Sequence, residues 1–123
     1  MSSFSNGSKF TIGIDIGTSK CCVALWDEKK SDIHIVNNNF VSPITPSFIS
    51  FADNERFFGQ QAKSKPSMNT VFNILRLIGR SFSSIREEKR FWPFQIISTP
   101  DDEILICCEY QHEKKTFTPK DLL

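Results

Sequence analysis

The chain has 123 residues, 39% hydrophobic and 24% charged, and its 15 basic and 14 acidic side chains leave a net charge of +1. That length suits one domain and leaves no room for two, and a compact chain of this size buries roughly two thirds of its unfolded surface. The balanced charge predicts no nucleic-acid and no membrane footprint, and the polar opening Met1–Ser8 is neither a signal peptide nor a membrane span, so residues 1–8 read as a disordered tail and the protein as cytoplasmic or nuclear.

Phe10, Ile12, Ile14 and Ile16 fall at period 2, which predicts a buried strand. The stretch Gly13-Ile14-Asp15-Ile16-Gly17-Thr18-Ser19 joins that strand to a tight polar turn, after which Cys21–Trp26 resumes as a second apolar run. Gly13 and Gly17 lack the Cβ that keeps a ligand off the backbone, and Thr18 and Ser19 offer hydroxyls and amides. Two readings stand at this point, an ordinary hairpin with a glycine turn and a phosphate loop. Asp15 favours the second, because a carboxylate inside an apolar strand is costly to bury without a cation or donors.

Asp27–Asp32 is a charged turn, and Ile33 and Ile35 alternate with His34 in a third strand, completing an antiparallel meander. His34 has no neighbouring ligand types and belongs on the solvent face. Asn37–Asn39 and Ser42–Pro46 form a connection whose prolines forbid regular bonding, and Ser47–Phe51 resumes as a strand. Asp53–Arg56 reads as a turn, Phe57–Gly59 as extended, and Gln60–Lys65 as a brief helix stopped by Pro66. The clearest helix follows. Val71, Ile74, Leu75 and Ile78 lie at i, i+3, i+4 and i+7, with Asn69 or Thr70 as cap and Gly79 as stop. Beyond polar Ser81–Arg90 and the aromatic knot Phe91–Phe94, the runs Gln95–Ser98, Ile104–Tyr110 and Lys115–Phe117 read as strands. Thr118 is an N-cap with Pro119 at the first helical position, and a helix starting so close to Leu123 predicts a longer architecture cut short. Twelve phenylalanines are more than such a chain readily covers, which predicts exposed sticky surface.

The cysteines form two adjacent pairs, Cys21-Cys22 and Cys107-Cys108, without the intervening residues that let two thiolates chelate one zinc. Each pair should give one buried and one more exposed thiol, all free in a reducing compartment.

Beyond Gly13–Ser19 and Cys22-Val23, the blocks Thr45-Pro46-Ser47-Phe48, Asn69-Thr70-Val71-Phe72, Arg76-Leu77-Ile78-Gly79-Arg80 and Trp92-Pro93-Phe94 follow in an order and spacing that resembles the N-terminal segment of the Hsp70 chaperone ATPase domain. The resemblance runs from Lys9 onward. It implies an α/β fold, a partial actin-like (ribonuclease H-like) ATPase lobe with mixed β-sheet and short helices over residues 9–123. In the family the second phosphate loop, the adenosine site, the other lobe and the peptide-binding domain lie further along a longer chain.

The resemblance implies ATP or ADP with Mg as cofactors. Asp15 matches the aspartate that holds magnesium through water, and Gly17, Thr18 and Ser19 match the loop that holds the β- and γ-phosphates. Consecutive backbone N–H groups and a carboxylate-held cation are what a triphosphate needs. Ser19 stands where the family usually has threonine and keeps the hydroxyl; Lys20 replaces an aromatic residue beside the phosphates. The family's catalytic lysine position is Leu75 here, with Asn73 replacing the acidic residue two before it, so no catalytic residue carries over. Leucine cannot neutralise charge on a transferring phosphoryl group, and losing such a donor costs ~10²- to 10³-fold in rate. Leu75 also reads simply as an extension of the apolar stripe, and Lys20 as a substitute cation would need placement to within about 1 Å. The loop Asn37–Pro43 departs from the family pattern.

The implied function is that of an ATP-binding chaperone segment with impaired hydrolysis. Its implied partners are ATP, J-domain proteins, nucleotide exchange factors and unfolded polypeptides. The alternative, from a different class, is a non-catalytic interaction fragment or degenerate product without nucleotide turnover. Half of a two-lobed cleft supplies few of the contacts that offset ligand immobilisation, so the chain alone should bind ATP weakly.

Overall fold

Two groups of strands organise the computed structural model, which describes residues 9–65 and 68–123. The expected tail over residues 1–8 and the helix stop at Pro66 lie outside the described residues. One unit holds the residues up to Ile16 together with Lys20–Thr45; the other holds Gly17–Ser19 with Pro46–Leu123.

In the first unit β1 (Phe10–Ile16), β2 (Lys20–Asp27) and β3 (Asp32–Ile35) form the expected antiparallel meander, with Ile14 opposite Val23, Asp15 opposite Cys22 and Leu25 opposite His34. Asp27, buried, shapes the turn into β3: its Oδ1 accepts from the N–H of Lys29 at 2.9 Å and of Lys30 at 3.3 Å. The buried strand expected at β1 is instead open, with Ile12, Ile14 and Ile16 at 60%, 64% and 50% exposure. A sheet buries only the face that a second layer covers, and this unit is one layer of strands. Cys21 and Cys22 are accordingly both half-buried rather than one in and one out. Asn38 makes four side-chain hydrogen bonds in the loop after β3. Asn38 Oδ1 accepts from Phe40 N (2.9 Å) and Ser42 N (3.2 Å), while its Nδ2 donates to Ile44 O and Thr45 Oγ1, both at 3.1 Å. The two-residue β4 (Thr45–Pro46) marks the passage between units.

The second unit contains two three-stranded antiparallel sheets. β5 (Phe48–Ala52) lies between β6 (Glu55–Phe58) and β7 (Thr70–Phe72), and β9 (Ile104–Tyr110) lies between β8 (Gln95–Ser98) and β10 (Glu113–Phe117). Gln111 and His112, with φ of 56° and 61°, supply the left-handed pair that a tight β9–β10 turn requires. Between β6 and the short helix α1 (Gly59–Lys63) the same need falls on a buried glycine, Gly59 at φ 59°. Asn69 ties the two sheets: its Nδ2 donates to Glu109 O at 3.2 Å and its Oδ1 accepts from Glu109 N at 2.9 Å. The core of this unit gathers Ile49, Phe51, Val71, Ile85, Ile106 and Cys108. Cys108 is buried beside half-buried Cys107, as the alternation predicts.

Over residues 69–79 the structure replaces the expected helix. Val71 is wholly buried opposite Ile49 in β7, Asn73 ends the strand at φ 57°, and Ile74–Arg76 is a single 3-10 turn. Val71, Ile74 and Leu77 reach one core from different local structures, which produces helical spacing without a helix. The β-branched pair Thr70-Val71 suits a strand, and the ladder to β5 outweighs a weak helix preference. Asn69 and Thr70 therefore lead into a strand and not a helix, whereas Gly79 does close the segment at φ 74°. At the far end Thr118 behaves as an N-cap: its Oγ1 accepts from Asp121 N at 3.2 Å, Asp121 Oδ2 accepts from Thr118 N at 2.9 Å, and a 3-10 turn spans Pro119–Leu122.

Candidate functional site

The turn between β1 and β2 is held from a residue far along the chain. Ser47 Oγ donates to Gly17 O at 2.9 Å, and Ser47 N donates to Ser19 O at 3.0 Å. With the two carbonyls engaged on one side, the N–H groups of Gly17, Thr18 and Ser19 have no protein acceptor among the described residues. Gly17 and Thr18 are half-buried and Ser19 is exposed. Three successive open amides with a hydroxyl beside them are donors of the type an anion accepts from.

Asp15 and Lys20 flank this turn in sequence and belong to the first unit. Asp15 stands one residue from the end of β1, exposed, on the face shared with Gly13 and Cys22. Its carboxylate is already solvated, so burial, expected to demand a cation or donors there, demands neither. Lys20 opens β2 and is exposed. No group of three or more His, Cys, Asp or Glu side chains that could hold a metal assembles among the described residues. A single carboxylate suits a magnesium ion that keeps its water, the mode in which Mg²⁺ is commonly held beside phosphates. Amides and a hydroxyl on the Gly17–Ser19 turn are the donor type that phosphate oxygens accept from, and Asp15, in the other unit, is the carboxylate type that holds a hydrated cation.

Leu75 lies in the 3-10 turn Ile74–Arg76, half-buried, while its neighbours Ile74 and Leu77 take the core positions. Arg80 is committed elsewhere: its two Nη atoms grip Glu88 at 3.0 and 2.8 Å, and Nη2 also donates to Ser84 O at 2.8 Å. The hydrogen bond from Arg80 holds the Glu88 carboxyl below the usual range and raises the guanidinium in return. His34 lies exposed on β3, its Nε2 3.8 Å from Asp32 Oδ2.

The residue that sequence reasoning missed is Ser47. Its block, Thr45–Phe48, was visible, but a hydrogen bond across 30 positions leaves no local signature. No helix among the described residues is long and apolar enough to cross a membrane.

The family model described as Hsp70 protein matches residues 11–123. Heat shock cognate 70 kDa protein 3 of Dictyostelium discoideum is 39% identical over 118 residues, covering 91% of this chain and 18% of that protein. A ribosome-associated molecular chaperone of Saccharomyces cerevisiae is 39% identical over 116 residues, 90% of this chain and 18% of its own length. Putative heat shock 70 kDa protein 7 of Homo sapiens is 35% identical over 119 residues, 93% of this chain and 32% of its own length. The chain thus spans about a fifth of the length of the first two relatives, 18% of each.

Proposed function

Because the chain belongs to the Hsp70 family, its sheets and short helices forming part of an actin-like ATPase lobe, we propose that it is the phosphate-binding portion of a chaperone ATPase domain, spanning residues 9–123. Gly17, Thr18 and Ser19 hold the β- and γ-phosphates of ATP or ADP, Asp15 holds magnesium through water, and Lys20 adds positive charge beside the loop. The observation that carries this reading is Ser47, which engages the carbonyls of Gly17 and Ser19 and leaves the intervening amides to an anion. Bound magnesium would screen the phosphate charge; the chain's own part is to bind and orient.

Hydrolysis is impaired in this reading, because Leu75 brings no charge to a transferring phosphoryl group. That same residue favours a second reading, a non-catalytic interaction segment without turnover. In either case the partners are those of a chaperone: J-domain proteins, nucleotide exchange factors and unfolded polypeptides, in the cytoplasm. The test is a calorimetric titration with ATP and magnesium. Binding weaker than micromolar is expected, lost in Asp15→Ala and weakened in Ser47→Ala. Micromolar or tighter affinity, or heat indifferent to both substitutions, would overturn the assignment.

A further inference from the structure

Strand β8 is an edge. In the order β10-β9-β8 it has β9 on one side and, among the described residues, no strand on the other. The register shows which groups face outward. Thr99 N donates to Glu103 O at 3.0 Å, continuing the pairing of Ser98 with Ile104 and Ile97 with Leu105. Antiparallel ladders alternate bonded and non-bonded pairs, so Gln95 and Ile97 bond inward to β9, and the N–H and C=O of Ile96 and Ser98 face the open side. Such groups need water or another backbone.

Along this edge runs a groove of about 490 Å³, lined by Phe82, Lys89 and Phe94 together with Gln95–Ser98. Its charge meets a ring but no carboxylate among the described residues. Lys89 Nζ sits 5.0 Å from the Phe82 ring centroid and has no ion-pair partner among the described residues, whereas nearby Arg80 is engaged with Glu88. Outward backbone groups select an extended chain, the aromatic walls select an apolar side chain, and Lys89 selects a carboxylate next to it.

We infer that the outer edge of β8 takes an extended polypeptide segment as an added strand, with an apolar side chain in the groove between Phe82 and Phe94 and an acidic residue against Lys89. Main-chain bonds to Ile96 and Ser98 supply affinity and the groove supplies specificity. No residue of the Gly17–Ser19 turn takes part, so the edge can bind its segment whether or not the turn holds a nucleotide.

The probe is a fluorescein-labelled synthetic peptide of alternating valine and threonine with one central phenylalanine flanked by aspartate, titrated with the full chain. Saturable anisotropy is expected. Ser98→Pro removes an outward N–H that the ladder does not use, a place where edge strands tolerate proline, and should weaken binding by about tenfold or more. Lys89→Glu should weaken it by about threefold to tenfold, as loss of a rim charge does. Amide exchange on the unsubstituted chain reads the same edge without a variant: Ile96 and Ser98 should become protected when peptide is added. Absence of saturable binding, equal affinity in a natively folded Ser98→Pro, or unchanged exchange at Ile96 and Ser98 would overturn the inference. A concentration-dependent dimer that Ser98→Pro dissolves, without peptide binding, would give the edge to a second copy and overturn it as well.

Discussion

Truncating Phe51 to alanine should remove a large part of the second unit's stability, while Ile14→Ala in the first unit should cost little. Phe51 is 1% exposed, stacks on Phe117 at 5.0 Å, tilts against Tyr110 at 5.3 Å, and has the Arg56 guanidinium 5.7 Å from its ring centre. Emptying such a site costs about 3–5 kcal/mol in transfer and cavity energy. The aromatic pairs contribute ~0.5–1.5 kcal/mol each, partly overlapping that figure, so a loss of about 4 kcal/mol is expected. Against a typical domain stability of ~5–15 kcal/mol this is severe. Ile14 is 64% exposed, so alanine there forfeits little burial and some strand preference, at most about 1 kcal/mol. Urea unfolding can be followed by far-ultraviolet circular dichroism for both variants and, in the second unit, by Trp92 fluorescence, since Trp92 is 8% exposed and stacks on Phe94 at 6.2 Å. With a slope of ~1–3 kcal/mol per molar urea, the Phe51→Ala midpoint should fall by about 2 M. Equal losses for the two variants, or a shift below about 0.5 M for Phe51→Ala, would refute the location of the core.

The backbone N–H of Thr118, and next its side chain, hold the Asp121 carboxyl below the usual range. A depressed carboxylate stabilises above its unfolded value and stops doing so as pH falls through the folded one. The urea midpoint of the natural chain should therefore exceed that of Asp121→Asn at neutral pH, and the two should converge in acid; a gap independent of pH would contradict this. Burial, and then the neighbouring Cys107, push the Cys108 thiol up to about 11, which keeps its thiolate scarce near neutrality. The contribution of its neutral form is complete below the unfolded thiol range and fades as pH rises through about 11. Iodoacetamide at mildly alkaline pH should alkylate half-buried Cys107 well before Cys108, as read by fragment mass spectrometry. Equal rates would count against the buried assignment.

Where local pattern and tertiary pairing agree, the sequence was legible. The alternation in Gln95–Ser98 and Ile104–Tyr110 became β8 and β9 with the expected limits, and Thr118-Pro119 became a capped turn. Residues 69–79 were not legible, because Val71, Ile74 and Leu77 mimic a helical stripe while serving one core from a strand and a 3-10 turn. The open face of β1 was hidden for a related reason: period 2 marks a strand, but only a covering layer buries it. Of the candidate site, Gly17–Ser19 and Asp15 were picked out by residue type, although Asp15 lacks the burial expected of it, since no layer covers β1. Ser47 was not, since its bonds to Gly17 and Ser19 come from the return of the chain and not from any local pattern.

The proposed function is a phosphate loop without the charge needed for turnover, and phosphate release tests it most directly. Incubated with ATP and magnesium, the chain should show no steady release above background, and Asp15→Ala should look the same. Steady release that Asp15→Ala abolishes would contradict it, and would mean that a cationic group elsewhere supplies the charge that Leu75 cannot.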